Sequence, residues 1–384
     1  MCETQSQDIN NSLPFSIGLL NDSSYPNLSL LCPMVNLEDL SNLSLLSFML
    51  EGVLQFTICC LGILGNILSI YILTRKELHS FFNQLLTGLV VFDLVYLFTM
   101  MLEALRKIGV HFDIQVILFP HILYPMNAIS MMCSIYMTMA IGMERYLAVY
   151  RPMEYSRMVN DASTHAQRLL TYIVPISICS VVFNIPKFLE SKVVYGEEGI
   201  HMEVTELRMN TMYVTWYHNW ARLMVLGIFP LLVICILNYK IYVVISQRRK
   251  FHRRKQDDNL SIILMIIILS FVLCNLLRVF LNMHEITVIE EIHICRNSIL
   301  GGFPMWIIIL GFVSHILLVI NSSINLVIYC MFGKIFRQVF NSHFNCRYQA
   351  PSQDSLFSRG QTTVNKGETN LTLSHREVRG GGIG

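Results

Sequence analysis

The sequence predicts an all-α membrane protein: a seven-transmembrane-helix bundle with a short amphipathic helix after the seventh span. Three observations carry this. The 384 residues are 53% hydrophobic and only 14% charged, with mean hydropathy +0.51, too apolar for a soluble chain of this length. Seven apolar runs, roughly 48–74, 81–105, 118–150, 168–188, 213–245, 260–284 and 303–332, each suffice to cross a bilayer, which takes ~20 residues at about 1.5 Å of rise each. The third observation is that basic residues gather on alternate connections, so the net charge of +2 conceals a segregated pattern.

Residues 1–46 precede the first run. They hold no Lys or Arg, five acids, and N-glycosylation sequons at Asn10, Asn21, Asn27 and Asn42. No basic stretch followed by an apolar core marks a cleavable signal peptide. The segment reads as an extracellular, glycosylated, mostly unstructured tail.

The domain plan continues with the bundle at 47–332. Arg75 and Lys76, then Arg151, Arg157 and Arg168, then the cluster 248–255, and finally Lys334 and Arg337 fall on one side. The opposite connections carry Glu190, Glu197, Glu198, Glu203, Glu206, Glu285, Glu290 and Glu291. The positive-inside rule then places the amino terminus outside and the carboxyl terminus in the cytoplasm of a multi-pass plasma-membrane protein. Beside spans, the 248–255 cluster is a topology signal and a contact for membrane lipids, and no nucleic-acid partner is implied.

After the seventh run, residues 333–346 place Ile335, Phe336, Val339 and Phe340 on one stripe, as in a helix lying on a membrane surface. Cys346 is a candidate palmitoylation site. Residues 347–384, rich in Ser, Thr, Gly and Gln, read as a disordered cytoplasmic tail with candidate kinase sites. Most of the eleven cysteines sit singly in apolar runs and read as small buried hydrophobes. No internal repeat suggests a transporter built from halves.

The third run ends in Glu144-Arg145-Tyr146, a charged pair at the point where an apolar stretch meets water. This resembles the Asp/Glu-Arg-Tyr motif of rhodopsin-like (class A) G-protein-coupled receptors. Asn66 resembles the family's first-helix asparagine and Asp93 its second-helix aspartate. Asn321-Ser-Ser-Ile-Asn325-Leu-Val-Ile-Tyr329 is similar to its Asn-Pro-x-x-Tyr motif, with Leu326 in place of proline. Strings such as Met143-Glu-Arg-Tyr-Leu-Ala-Val, Asn184-Ile-Pro-Lys-Phe-Leu-Glu and Ile320-Asn-Ser-Ser-Ile-Asn are similar to invertebrate receptors for FMRFamide-related neuropeptides.

The resemblance implies a peptide agonist, a heterotrimeric G protein, and arrestin and receptor kinases as partners. It implies no cofactor beyond an allosteric sodium ion at Asp93, Ser134, Asn321 and Asn325, with Asn66 adjacent. A buried carboxylate needs a cation or several donors, so a hydrogen-bonded knot without an ion is the other reading. Ile135 and Pro230 match two members of the family's transmission triad, and Phe271 neighbours the third position, Val272. At rest Arg145 is expected to pair with Glu144, with Asp258 closing the same latch and Tyr329 moving inward on activation.

Glu103, Asn127, Arg222, Arg278, His315, Trp216 and Trp306 are the expected ligand-binding residues, joined nearer the surface by Tyr217, His284 and Glu285. Glu103 is the expected partner of Arg278 or of a basic ligand group. Departures from the family also stand out. Arg278 occupies the place of the sixth-helix proline and Leu276 that of the tryptophan. The position of the usual outer disulfide's third-helix cysteine is Pro120, and the loop 189–212 has no cysteine. Cys32 with Cys295 is the candidate substitute.

Residues 303–332 lack the lysine of an opsin, and Asn127 stands where amine receptors carry an acid. No catalytic motif is present, because His284-Glu285 lacks a second metal-binding histidine and 291–295 is a weak metal string. The remaining alternatives are a class A receptor for another ligand class and a polytopic channel or transporter.

Overall fold

Seven helices of the computed structural model, which describes residues 37–78, 80–110, 113–160, 165–196, 199–250, 255–288 and 303–344, are long and apolar enough to cross a membrane. They are α1 (Glu38–Leu73), α2 (Phe81–Lys107), α3 (Ile114–Tyr150), α4 (Gln167–Leu189), α5 (Thr211–Gln247), α6 (Lys255–Thr287) and α7 (Met305–Ser323). A further helix, α8, covers Lys334–Phe344. The expected all-α membrane fold with a helix after the seventh span is observed.

α1 starts earlier than expected. Helix begins at Leu37, within the segment read as a tail, so the sequon residue Asn42 sits exposed on helix. Glu38 and Asp39 in its first turn favour the positive end of the helix dipole, and Leu43 is buried. Asn10, Asn21, Asn27, Cys32, Cys295 and Cys346 lie outside the described residues, as does the side chain of Asp258. Among the described residues, Cys59, Cys60, Cys133, Cys179, Cys235, Cys274 and Cys330 are free thiols.

Helix ends follow local chemistry. Ser80 caps α2 by accepting from the Asn83 amide at 3.3 Å. At the other end Gly109, with φ +91°, permits the left-handed turn that lets its N–H reach the Arg106 carbonyl and Val110 N–H reach that of Leu105. Two prolines explain two widened stretches. A proline ring clashes with the carbonyl four residues back. Pro125 follows a π-helical stretch at Phe119–Leu123, and Pro230 follows one at Leu223–Ile228. Each stretch contains the carbonyl at issue, that of His121 or Leu226, and the wider i→i+5 turn moves it aside.

Packing makes α3 the central helix. It touches α2, α4, α5 and α6, while α1 packs on α2 and α7, and α7 on α6. α1 and α7 approach closely at Gly62, where an added Cβ would meet Ser323 Cβ at 2.7 Å and Leu97 Cδ1 at 2.9 Å. α7 breaks for one residue at Ile324 and resumes over Asn325–Phe332 without a proline.

Strands β1 (Ser191–Gly196) and β2 (Gly199–Val204) form an antiparallel hairpin in the loop between α4 and α5, pairing Ser191 with Val204 and Lys192 with Glu203. Its signal was the run Val193-Val194-Tyr195 bounded by Gly196 and Gly199. The bundle unit ends at Phe336, and Arg337–Gly384 is a separate unit whose described part is the remainder of α8.

Candidate functional site

Three polar assemblies lie along the bundle. The middle one surrounds Asp93 on α2, which is 2% exposed. Ser134 on α3 donates to its Oδ1 at 2.7 Å, and Asn325, just past the α7 break, donates to its Oδ2 at 2.7 Å. Asn66 on α1 donates to the Ser322 carbonyl at 2.9 Å, tying α1 to α7. Asp93, Ser134, Thr138, Asn321 and Asn325 line one small cavity with Phe271. A carboxylate, hydroxyls and amide oxygens are hard donors, the set that suits an alkali cation. These residues fit sodium, and the direct hydrogen bonds also satisfy the carboxylate without an ion.

The second assembly lies at the end of α3 that carries Arg145. Glu144 is 1% exposed and accepts two hydrogen bonds from Arg168 Nη2 on α4, at 2.8 and 3.0 Å, and one from the Tyr172 hydroxyl. The expected Glu144–Arg145 pair is therefore not the arrangement formed. Successive residues on a helix point about 100° apart, so Glu144 turns to α4 while Arg145 turns to α2. The Arg145 guanidinium lies 3.3 Å from the Phe82 ring centroid, and Tyr146 stacks on Tyr150 at 5.2 Å. Tyr155, on the short helix after α3, has its phenol pushed up by burial. Tyr329 is buried and packs on Phe336 at 5.6 Å.

The third assembly is at the opposite end, beside the hairpin. Lys187 and Glu190, 1% and 2% exposed, pair at 2.7 Å. The Tyr124 and Tyr213 hydroxyls donate to Glu190 at 2.8 and 2.7 Å, and Lys187 also reaches Tyr124 and His218. Burial pushes the Glu190 carboxyl up, but nearby His218, the Lys187 charge and the Tyr213 hydroxyl prevail and hold it well below the usual carboxylate range. The sequence reading missed this network. Its signal was present, since Lys187 and Glu190 stand three apart in Asn184-Ile-Pro-Lys-Phe-Leu-Glu190.

Deeper on the same side, Arg222 on α5 and Arg278 on α6 line a cavity with Met131, Ile135, Asn275 and Asn282. The expected Glu103–Arg278 pair does not form. Glu103 bonds to Arg106 one turn away on its own helix, where an i,i+3 partner is always within reach. His315 is likewise engaged elsewhere, 2.9 Å from Glu51 on α1, which also holds Lys107 at 3.2 Å. Glu51 is a second residue the sequence reading passed over. Asn127 donates to Thr99 at 3.1 Å, Trp306 meets His284 edge-on, and Trp216 is 63% exposed. Ile135 lines this cavity while its neighbour Ser134 lines the one around Asp93, so a single turn of α3 separates the two. Pro230 and Phe271 are both buried.

A sequence profile described as "7 transmembrane receptor (rhodopsin family)" matches residues 65–329. The chain is 30% identical over 370 residues to the FMRFamide receptor of Drosophila melanogaster, covering 91% of this chain and 63% of that protein, less than two thirds of its length. It is 25% identical over 331 residues to a probable G-protein coupled receptor of Caenorhabditis elegans, frpr-1, covering 80% and 82%. A third similarity, 25% over 295 residues, is to the FMRFamide peptide receptor frpr-18 of the same worm, covering 73% and 66%. With this profile match spanning all three polar assemblies, the chain belongs to the rhodopsin family of seven-transmembrane receptors.

Proposed function

We propose that this chain is a plasma-membrane receptor for an extracellular neuropeptide, FMRFamide-related or otherwise amidated, that activates a heterotrimeric G protein. As a member of its family it is a receptor and not an enzyme. The observation that carries the reading is the similarity to the Drosophila FMRFamide receptor along 91% of the chain. The alternating basic connections support an amino terminus outside, glycosylated at its sequons, and the Arg145 end in the cytoplasm. Arrestin, receptor kinases acting on the 347–384 tail, lipid contact at 248–255 and palmitoylation of Cys346 belong to the same proposal.

Ligand entering between the hairpin and the arginine cavity would bias a two-state bundle. Ile135 and Phe271 then link the ligand side to the Asp93 cavity, and α6 moves away from Arg145 to admit the G protein. Sodium, where bound, supplies a positive charge to Asp93. Ser134, Asn321 and Asn325 would hold it, and Ser134 and Asn325 supply donors to the carboxylate in its absence.

A library of amidated peptides applied to cells expressing the full chain, read by calcium and cyclic AMP, tests the proposal. A response to one peptide family that is lost in Arg145→Ala at equal surface expression supports it. Silence to the whole library, with ion flux through the purified protein, would instead establish a channel.

A further inference from the structure

Arg222 and Arg278 face one cavity, and among the described residues neither forms an ion pair. The Nε of Arg222 is buried without a hydrogen-bond partner, and Arg278 Nη1 reaches only the sulfur of Met131, a weak acceptor. A guanidinium cannot shed its proton to escape burial, as a lysine can. Three acids on this side are already engaged: Glu190 by Lys187, Glu103 by Arg106 and Glu51 by Lys107. Glu285 stands two turns along the same face of α6 from Arg278 and feels the charges of Arg208 and Arg222, but it forms no ion pair with either cavity arginine. The rest of the wall is apolar, with Ile135, Leu226 and Val279, apart from the amides of Asn275 and Asn282.

We propose that the Arg222–Arg278 cavity binds a carboxylate of the ligand, which the two arginines clamp while the apolar wall holds its methylene stem. This deepens the receptor reading and rests on it for the identity of the ligand. The chemistry runs opposite to the expectation that an acid of the receptor receives a basic ligand group. Paired guanidiniums favour a carboxylate through forked, charge-assisted hydrogen bonds. Since an amidated peptide has no terminal carboxylate, its contribution here would be an acidic side chain.

The test uses the purified full chain in lipid nanodiscs, with affinities taken from the concentration dependence of thermal unfolding. One probe pair is N-acetyl-glutamate α-amide against N-acetyl-glutamine amide, which reports a side-chain carboxylate. The other is N-acetyl-phenylalanine against its amide, which reports a terminal one. The protein should bind a carboxylate about tenfold or more tightly than its neutral twin, the preference expected of a charged hydrogen-bond pair. Arg222→Gln and Arg278→Gln should each reduce that preference to about one, and Glu154→Gln, which alters the exposed Arg151–Glu154 pair at the Arg145 end of the bundle, should leave it intact. Should Arg278→Gln fail to fold, Arg278→Lys, which keeps the charge and loses the fork, and Arg222→Gln still decide. No preference in the unmodified protein, a preference that survives both arginine changes, or one that Glu154→Gln also removes would overturn the proposal. The peptide screen is separate. Carboxylate preference without any peptide response keeps the site and removes the peptide reading, whereas a peptide response without carboxylate preference does the reverse.

Discussion

Arg168 of α4 grips the carboxylate of Glu144 of α3 with one nitrogen, donating to both oxygens at 2.8 and 3.0 Å. The acid beside the family's signature arginine thus serves as a joint between two helices. Tyr172 adds a third donor from the same face of α4, and Arg168 also lies over the ring of Phe81 at 4.6 Å.

Breaking that joint from one side should be worse than removing it. Arg168→Gln leaves Glu144 buried without its cation and should cost about 3 kcal/mol, in line with broken buried pairs. The double variant Glu144→Gln/Arg168→Gln should be more stable than Arg168→Gln alone. Thermal unfolding in nanodiscs measures both, and additive losses would show the pair is not coupled.

Acidification should expose the dependence on Glu190. Its carboxyl titrates below the usual carboxylate range when folded, while in the unfolded chain it titrates near ~4.3. The unfolded state therefore takes up the proton first, and the stabilisation is complete above ~4.3 and falls as pH drops through that value toward the folded one. Glu190→Gln should be less stable than the unmodified protein at pH 7, and the gap should narrow on acidification from ~5 toward ~3. A gap constant across that range would mean Glu190 contributes by shape and not by charge.

Gly62→Val should separate α1 from α7. Even a single added carbon would press on Ser323 Cβ at 2.7 Å, and a branched side chain has no space at all. Overpacking of this kind costs about 1–3 kcal/mol. The change should lower the unfolding temperature, and Gly311→Val, with open space around it, should have a much smaller effect.

Sodium should stabilise the protein through Asp93. Unfolding measured in sodium chloride against potassium chloride at equal ionic strength should show a higher midpoint in sodium. Asp93→Asn keeps the size of the side chain, removes the charge, and should abolish the difference. Equal midpoints in both salts would leave the hydrogen-bonded knot of Ser134, Asp93 and Asn325 as the whole of the site.

Much of the molecule was written in local pattern. The spans follow from apolar runs because a helix is the way a single segment satisfies its backbone inside a bilayer. The carboxylate at Asp93 was readable for a related reason, since a charge in such a run needs donors, and Asn325, one turn beyond Asn321, could supply them. Other features had only a faint local mark. The start of α1 at Leu37 and the hairpin at 191–204 carried weak signals that a reading focused on spans passed over.

Residue order alone determined where the chain crosses the membrane and which polar groups it must bury, because the bilayer acts on each segment separately. Choice of partner was decided only by the packed bundle. Glu144 turned to Arg168 and His315 to Glu51, leaving Arg222 and Arg278 together in one cavity. A charge joins whichever opposite group helix rotation and close approach bring within hydrogen-bond reach, and those are properties of neighbouring helices that no single stretch of sequence contains.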